Sequence, residues 1–182
     1  GVGRGLKLNV PLEPLTEGES YLEVLEEVVP AALRHFGPAV LVVQAGADAH
    51  YEDQLADLML GTRDFERIFR RLLDWAAEVT AGRVLFTLGG GYSLRATPRV
   101  WALLWLVLND LPVPEDLPPD WVWRWSHVLG PKPPLEFHDP SPLRVDIPKR
   151  EEIRHRNLQV AHRPLEVARP YWPCGAAGSE PT

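Results

Sequence analysis

Apolar residues recur at helical spacing in three stretches of the chain. Tyr21, Leu22, Leu25, Val28, Val29, Ala32, Leu33 and Phe36 share one face of a first predicted helix. Thr16-Glu17-Gly18-Glu19 ahead of it has capping-box spacing, with Thr16 at the N-cap. Pro30 is expected to kink or divide this helix, and Gly37-Pro38 to end it. A second helix opens with Thr62 as N-cap, buries Phe65, Ile68, Phe69, Leu72, Ala76 and Val79, and closes at Gly82. A third begins at Thr97-Pro98, with proline in the first turn. It is apolar nearly all round from Val100 to Leu108, the mark of a helix buried on most sides.

Between these stretches lie strand patterns. Ala39 to Gln44 is apolar without alternation, as expected of a strand covered on both faces. Arg83 to Leu88 follows Gly82 directly, and Leu6 to Val10 reads as a short strand closed by Pro11. Alternating strands and helices predict an α/β fold with a parallel sheet and helices on both faces. Beyond Asn109 the periodicity breaks. Proline is dense from Pro112 to Pro148, so this part reads as an irregular wrap pinned by burial of Trp121, Trp123 and Trp125. A polar helix is predicted from Lys149 to Gln159, and a disordered tail over 173–182.

Composition narrows the function classes. The 182 residues suffice for one domain with a sizeable core. A net charge of −6 argues against a nucleic-acid partner. No apolar run approaches the roughly 20 residues that span a bilayer. The one cysteine, Cys174, allows no intrachain disulfide and fits a reducing cytoplasm. The opening Gly1-Val2-Gly3-Arg4-Gly5 reads as the interior of a loop in a larger protein.

Candidate chemistry sits at two predicted strand ends, where open α/β sheets bind ligands. Asp48 lies in Ala45-Gly46-Ala47-Asp48-Ala49-His50. It is either a turn aspartate or a metal ligand, and His50, two residues on, could face the same ion in an extended segment. A catalytic zinc needs three protein ligands, and no third is evident. Tyr51, Glu52 and Asp53 are expected to fix the loop after Asp48, with Asp53 capping the following turn. Gly89-Gly90-Gly91 matches neither phosphate-loop pattern, which argues against a nucleotide site. Its glycines let the backbone lie flush against a substrate. Tyr92 beside them is either a packed tyrosine or a phenol that donates to a developing oxyanion. His35, His127, His138, His155 and His162 read as surface or capping residues, and Trp101 with Trp105 as helical core.

In order, Gly1-Val2-Gly3-Arg4-Gly5 with Asn9-Val10-Pro11-Leu12, Gln44 to Tyr51, and Gly89-Gly90-Gly91-Tyr92 with Pro98-Arg99-Val100-Trp101 resemble the zinc-dependent histone deacetylase family. The resemblance is to its acetoin-utilisation branch and to the carboxyl-terminal half only. It implies an arginase/deacetylase-like sheet, incomplete here. Residues 1–110 would form half of the α/β domain, 111–172 a wrapping segment and 173–182 a tail. It further implies that Asp48 is the last of three Zn2+ ligands, that Tyr92 polarises the acetyl carbonyl, and that Gly90 and Gly91 line the acyl-lysine tunnel. His50 is not a ligand in that scheme. The tandem histidines and the other two zinc ligands would lie in a missing amino-terminal half, leaving this chain inactive alone. Gln54 stands where the family has proline, which loosens that turn. The implied reaction is hydrolysis of an N-acetyl amide, on an acetylated lysine of a protein such as acetyl-coenzyme A synthetase or on a small acetylated amine. The competing expectation is a non-catalytic acyl-lysine-binding module.

Overall fold

The computed structural model describes residues 3 and 5–172. Five helices and two strands follow in the order α1 (Gly18–Phe36), β1 (Leu41–Ala45), α2 (Thr62–Thr80), β2 (Val84–Leu88), α3 (Thr97–Leu108), α4 (Pro119–Leu129) and α5 (Arg150–Ala168). The strands pair in parallel, Leu41 with Val84 through Ala45 with Leu88. A helix connects them, as parallel pairing requires. The result is an α/β fold with a small parallel sheet flanked by helices. No described helix is long and apolar enough to cross a membrane.

Local signals explain most boundaries. Glu17, not Thr16, caps α1, its carboxylate accepting from the Glu19 and Ser20 N–H groups. Thr16 is drawn elsewhere: its hydroxyl donates to the Glu13 carbonyl and accepts from Asn157 on α5. Pro30 lies inside α1 without dividing it, and Gly37 closes the helix at φ 57°. Thr62 is the first residue of α2 rather than its cap; Gly61 holds the cap position and Asp64 reaches back 2.9 Å to its N–H. At the far end Ala81 and Gly82 both take positive φ, the left-handed exit common at helix C-termini.

The core forms where α1, α2 and α3 meet one face of the sheet. Phe65, Phe69, Trp75, Leu103, Val107 and Ala45 are buried there, with Val43 and Phe86 packed against them. A second cluster joins Val24 and Val28 of α1 to Ala161 and Leu165 of α5.

Several expectations are corrected. Leu6 to Val10 is not a strand; it pairs with nothing in the sheet. Strand residues 39–44 are not covered on both sides within this chain: Val42 is 62 % and its partner Leu85 55 % exposed. Trp75 is buried while Val79 is only half-buried. In α3, Trp105 and Leu108 are exposed, so its apolar girth is not all core. The tryptophan-rich part is not irregular but contains α4, whose own residues bury only Val122 and Leu129. Of the three indoles expected to pin this segment, Trp121 packs against the core, while Trp123 and Trp125 are exposed. The polar helix α5 runs nine residues past Gln159, to Ala168, with Pro164 inside it. The expected tail, 173–182, lies outside the described residues.

Candidate functional site

The two strands end side by side, and their loops meet. The Ala47 N–H donates to the Gly90 carbonyl at 2.9 Å. Trp101 ties α3 to the same end of the sheet, its indole N–H donating to the Ala45 carbonyl at 3.0 Å. Asp48 therefore leaves β1 and Gly90 leaves β2 into one small volume. A Cβ on Gly90 would lie 3.0 Å from Asp48 Oδ2, and one on Gly46 would lie 2.6 Å from Oδ1. Glycine at these positions is what leaves room for the carboxylate. Gly91, at φ 119°, is equally constrained: a Cβ there would meet Thr97 Oγ1 at 2.7 Å and Ala47 Cβ at 2.8 Å.

Among the described residues, no hydrogen bond or ion pair reaches the Asp48 carboxylate. Beside it lies a cavity of about 450 Å³, walled by Tyr21, Leu25, Val43, Leu58 and Phe69. Burial, and then the Asp48 charge, push the Tyr21 phenol up. An apolar flank of this kind strengthens the pull of a carboxylate on a cation.

Tyr92 follows the glycines with its side chain about half exposed, at 53 %. Its backbone N–H donates to Asp53 Oδ2 at 2.7 Å. Asp53 also caps its own turn, Oδ1 accepting from Leu55 and Ala56. The Asp48 and Tyr92 loops are thus joined twice, once through backbone and once through Asp53.

His50 is engaged by Asp139 and Glu52 rather than with Asp48. It is fully buried, and both ring nitrogens are engaged. The Glu52 N–H donates to Nδ1 at 3.1 Å, which leaves Nε2 to donate to Asp139 at 2.9 Å. That pattern defines a neutral imidazole with the proton on Nε2. Asp139 also accepts from Arg99 Nη1 and the Thr62 N–H, both at 2.9 Å, while its own N–H donates to Thr62 Oγ1. Burial opposes ionisation of Asp139. The His50 bond, the Arg99 charge and the Thr62 N–H outweigh it and hold the carboxyl well below its usual range. Tyr51, above the same group, is pushed up to about 12 by burial and then by the Asp139 and Glu52 carboxylates. Glu52 faces Arg95 at 3.4 Å and Arg99 at 3.8 Å.

Sequence reasoning did not find this buried network. His50 carried a signal only for a metal, and Asp139 lies 89 residues away in a proline-rich stretch. His138 is half-buried against Thr62 and Glu66 rather than on the surface. His35 is not free either: it stacks on Trp172 with centroids 4.3 Å apart.

An α/β sheet whose adjacent strand tips deliver these loops, wrapped by helices in this order, is an arginase/deacetylase-like architecture. The histone deacetylase Clr3 shares it: the structures superimpose with a TM-score of 0.62 at 16 % identity, over 93 % of this chain and 23 % of that one. The family model for the histone deacetylase domain matches residues 1–108. Acetoin utilization protein AcuC of Bacillus subtilis (strain 168) is 33 % identical over 170 residues, 93 % of this chain and 44 % of that protein. AcuC of Staphylococcus xylosus is 30 % identical over 165 residues, covering 90 % and 43 %. The chain belongs to the histone deacetylase family.

The assignment to a carboxyl-terminal half only is corrected. The domain model matches from residue 1, and the AcuC alignment extends far beyond residue 108, over 93 % of the chain. The comparisons support the deacetylase domain of the AcuC branch itself. The chain spans somewhat under half the length of the curated relatives it matches, 44 % and 43 %.

A divalent metal fits these residues in part. Asp48 offers a hard oxygen donor with no competing partner among the described residues, in a cradle that side chains at 46 and 90 would fill. No group of three or more His, Cys, Asp or Glu side chains among the described residues could hold an ion. Asp48 is a single donor here, short of the three protein ligands that a catalytic zinc takes.

Proposed function

We propose that this chain forms part of a zinc-dependent deacetylase that hydrolyses the N-acetyl amide of an acylated lysine, or of a related acetylated amine, to acetate and free amine. The observation that carries the reading is the Asp48 carboxylate, unpartnered among the described residues and held open by Gly46 and Gly90. Family membership supplies the reaction class. Asp48 would be one zinc ligand, the others coming from outside the described residues. A zinc ion so held would polarise the acyl carbonyl and lower the pKa of a bound water.

The residues of this chain act around that chemistry. Tyr92 donates its phenolic proton in a hydrogen bond to the carbonyl oxygen, most strongly as negative charge develops there. Gly90 and Gly91 present bare backbone, so the acyl-lysine stem passes without a clash. The loop bonds from Ala47 to Gly90 and from Tyr92 to Asp53 hold both strand tips in register. Substrates on a metabolic protein such as acetyl-coenzyme A synthetase, or small acetylated amines, present the same N-acetyl group. A cytoplasmic setting accords with the single cysteine.

The test uses the protein that carries this chain. Zinc content and acetyl-lysine peptide hydrolysis are measured for wild type, Asp48→Asn and Tyr92→Phe. The expected result is loss of zinc and activity in Asp48→Asn, and in Tyr92→Phe retained zinc with activity reduced roughly 10²–10³-fold, the scale of one oxyanion donor. Acetyl-peptide binding without hydrolysis in zinc-loaded wild type would instead mark a non-catalytic module.

A further inference from the structure

The glycines that admit a substrate also leave Tyr92 poorly anchored. Gly90 and Gly91 sit at φ 85° and 119° and contribute no side chain to packing. Tyr92 itself is half exposed. Burial of its ring does not fix its position.

Asp53 supplies what packing does not. Oδ1 accepts from Leu55 and Ala56 within its own loop, an ordinary Asx turn. Oδ2 does something a turn does not need. It accepts the Tyr92 N–H at 2.7 Å, from a residue 39 positions away on the neighbouring strand tip. Burial pushes the Asp53 carboxyl up, but the backbone N–H groups around it outweigh that and leave it below its usual value.

The loop that carries Asp53 is itself rigid. The Asp53 N–H donates to the His50 carbonyl at 2.8 Å. His50 is locked between the Glu52 N–H and Asp139. The carboxylate is therefore mounted on the buried network and reaches across to the Tyr92 loop.

We infer that Asp53 is a positioning residue whose carboxylate clasps the two strand-tip loops together and so sets where the Tyr92 phenol stands relative to the Asp48 carboxylate. The inference rests on the catalytic reading of Tyr92. It concerns alignment, since Asp53 contacts backbone and not the acyl group.

Amide hydrogen exchange on the 182-residue chain tests the clasp without any activity. In Asp53→Asn, exchange at Tyr92 should rise roughly 10- to 100-fold, the scale of losing a hydrogen bond to a charged acceptor. Amides of α2 should not change. Asp53→Ser, whose hydroxyl can still cap Leu55 but is too short to reach Tyr92, should give the same selective rise. Unchanged exchange at Tyr92 in both variants overturns the inference. In the deacetylase that contains this chain, Asp53→Asn should lower kcat about tenfold with KM and bound zinc unchanged. Combined with Tyr92→Phe, it should add nothing to the loss from Tyr92→Phe alone. Losses that multiply would show that Asp53 acts elsewhere and sink the inference. If Tyr92→Phe leaves hydrolysis intact, the catalytic reading of Tyr92 fails, while the exchange data still decide whether the clasp exists.

Discussion

Asp139 gives the sharpest stability test of the buried network. Its carboxylate accepts from His50 Nε2, Arg99 Nη1 and the Thr62 N–H, each at 2.9 Å. Asp139→Ala would strip the direct partner from a buried guanidinium and leave the His50 N–H unsatisfied. Breaking a buried ion pair in this way costs about 3–5 kcal/mol. Arg99 retains the Arg95 and Phe137 carbonyls, and Glu52 lies 3.8 Å away. That residual support places the expected loss near the lower end, about 3 kcal/mol, which in a domain of this size lowers Tm by about 6–12 °C. Asp139→Asn keeps the shape and one acceptor but loses the charge, for a loss of about 1–2 kcal/mol. Urea unfolding followed by circular dichroism, with the slope m unchanged, measures both. The pH dependence has a definite sign. The folded carboxyl titrates below its unfolded value of about 3.9. Its stabilisation is therefore complete above that value and disappears as pH falls toward the folded one. The gap between wild type and Asp139→Asn should close as the solution is taken below about pH 4. Adding Arg99→Met to Asp139→Ala should cost little more than Asp139→Ala alone, because the stranded charge is removed with it. A loss under about 1 kcal/mol for Asp139→Ala, set against the expected scale, or an acid limb identical in wild type and Asp139→Asn, would refute the reasoning.

Further outcomes follow from other parts of the molecule. Asn157→Ala removes a fully buried amide that donates to Thr16 and Ser20 and accepts from the Glu13 N–H; denaturant melts should show a loss of about 2–3 kcal/mol as α5 loosens from α1. Gly90→Ala meets a φ of 85° and sets a methyl 3.0 Å from Asp48 Oδ2. Calorimetry should show about 1–2 kcal/mol lost to backbone strain, and zinc titration of the protein carrying this chain should show weakened binding. The in-register pair Val42 and Leu85 leaves an apolar stripe exposed on the sheet. Val42→Thr with Leu85→Thr should reduce self-association in sedimentation velocity while leaving far-ultraviolet circular dichroism unchanged, since threonine keeps the strand preference.

Local sequence determined the elements that local physics controls. The 3.6-residue periodicity of α1, α2 and α3, the proline at the start of α3 and the glycine at the end of α1 are short-range signals, and the helices lie where those signals put them. The two strand tips that carry Asp48 and Tyr92 were legible for the same reason: each is a run of apolar residues stopped by glycine. The errors fall where an outcome depends on a partner distant in the chain. Leu6 to Val10 has the composition of a strand but pairs with no strand among the described residues. Trp121, Trp123 and Trp125 all read as anchors, yet only Trp121 packs against the core, and α4 turns Trp123 to solvent. Its place two residues from Asp48 makes His50 a metal-ligand candidate by spacing alone. Tertiary structure gives its nitrogens to Glu52 and to Asp139, 89 residues on. Periodicity and capping are written within about one turn of chain, whereas a buried charge is satisfied by whatever group folding brings within 3 Å, and no spacing along the sequence encodes that meeting.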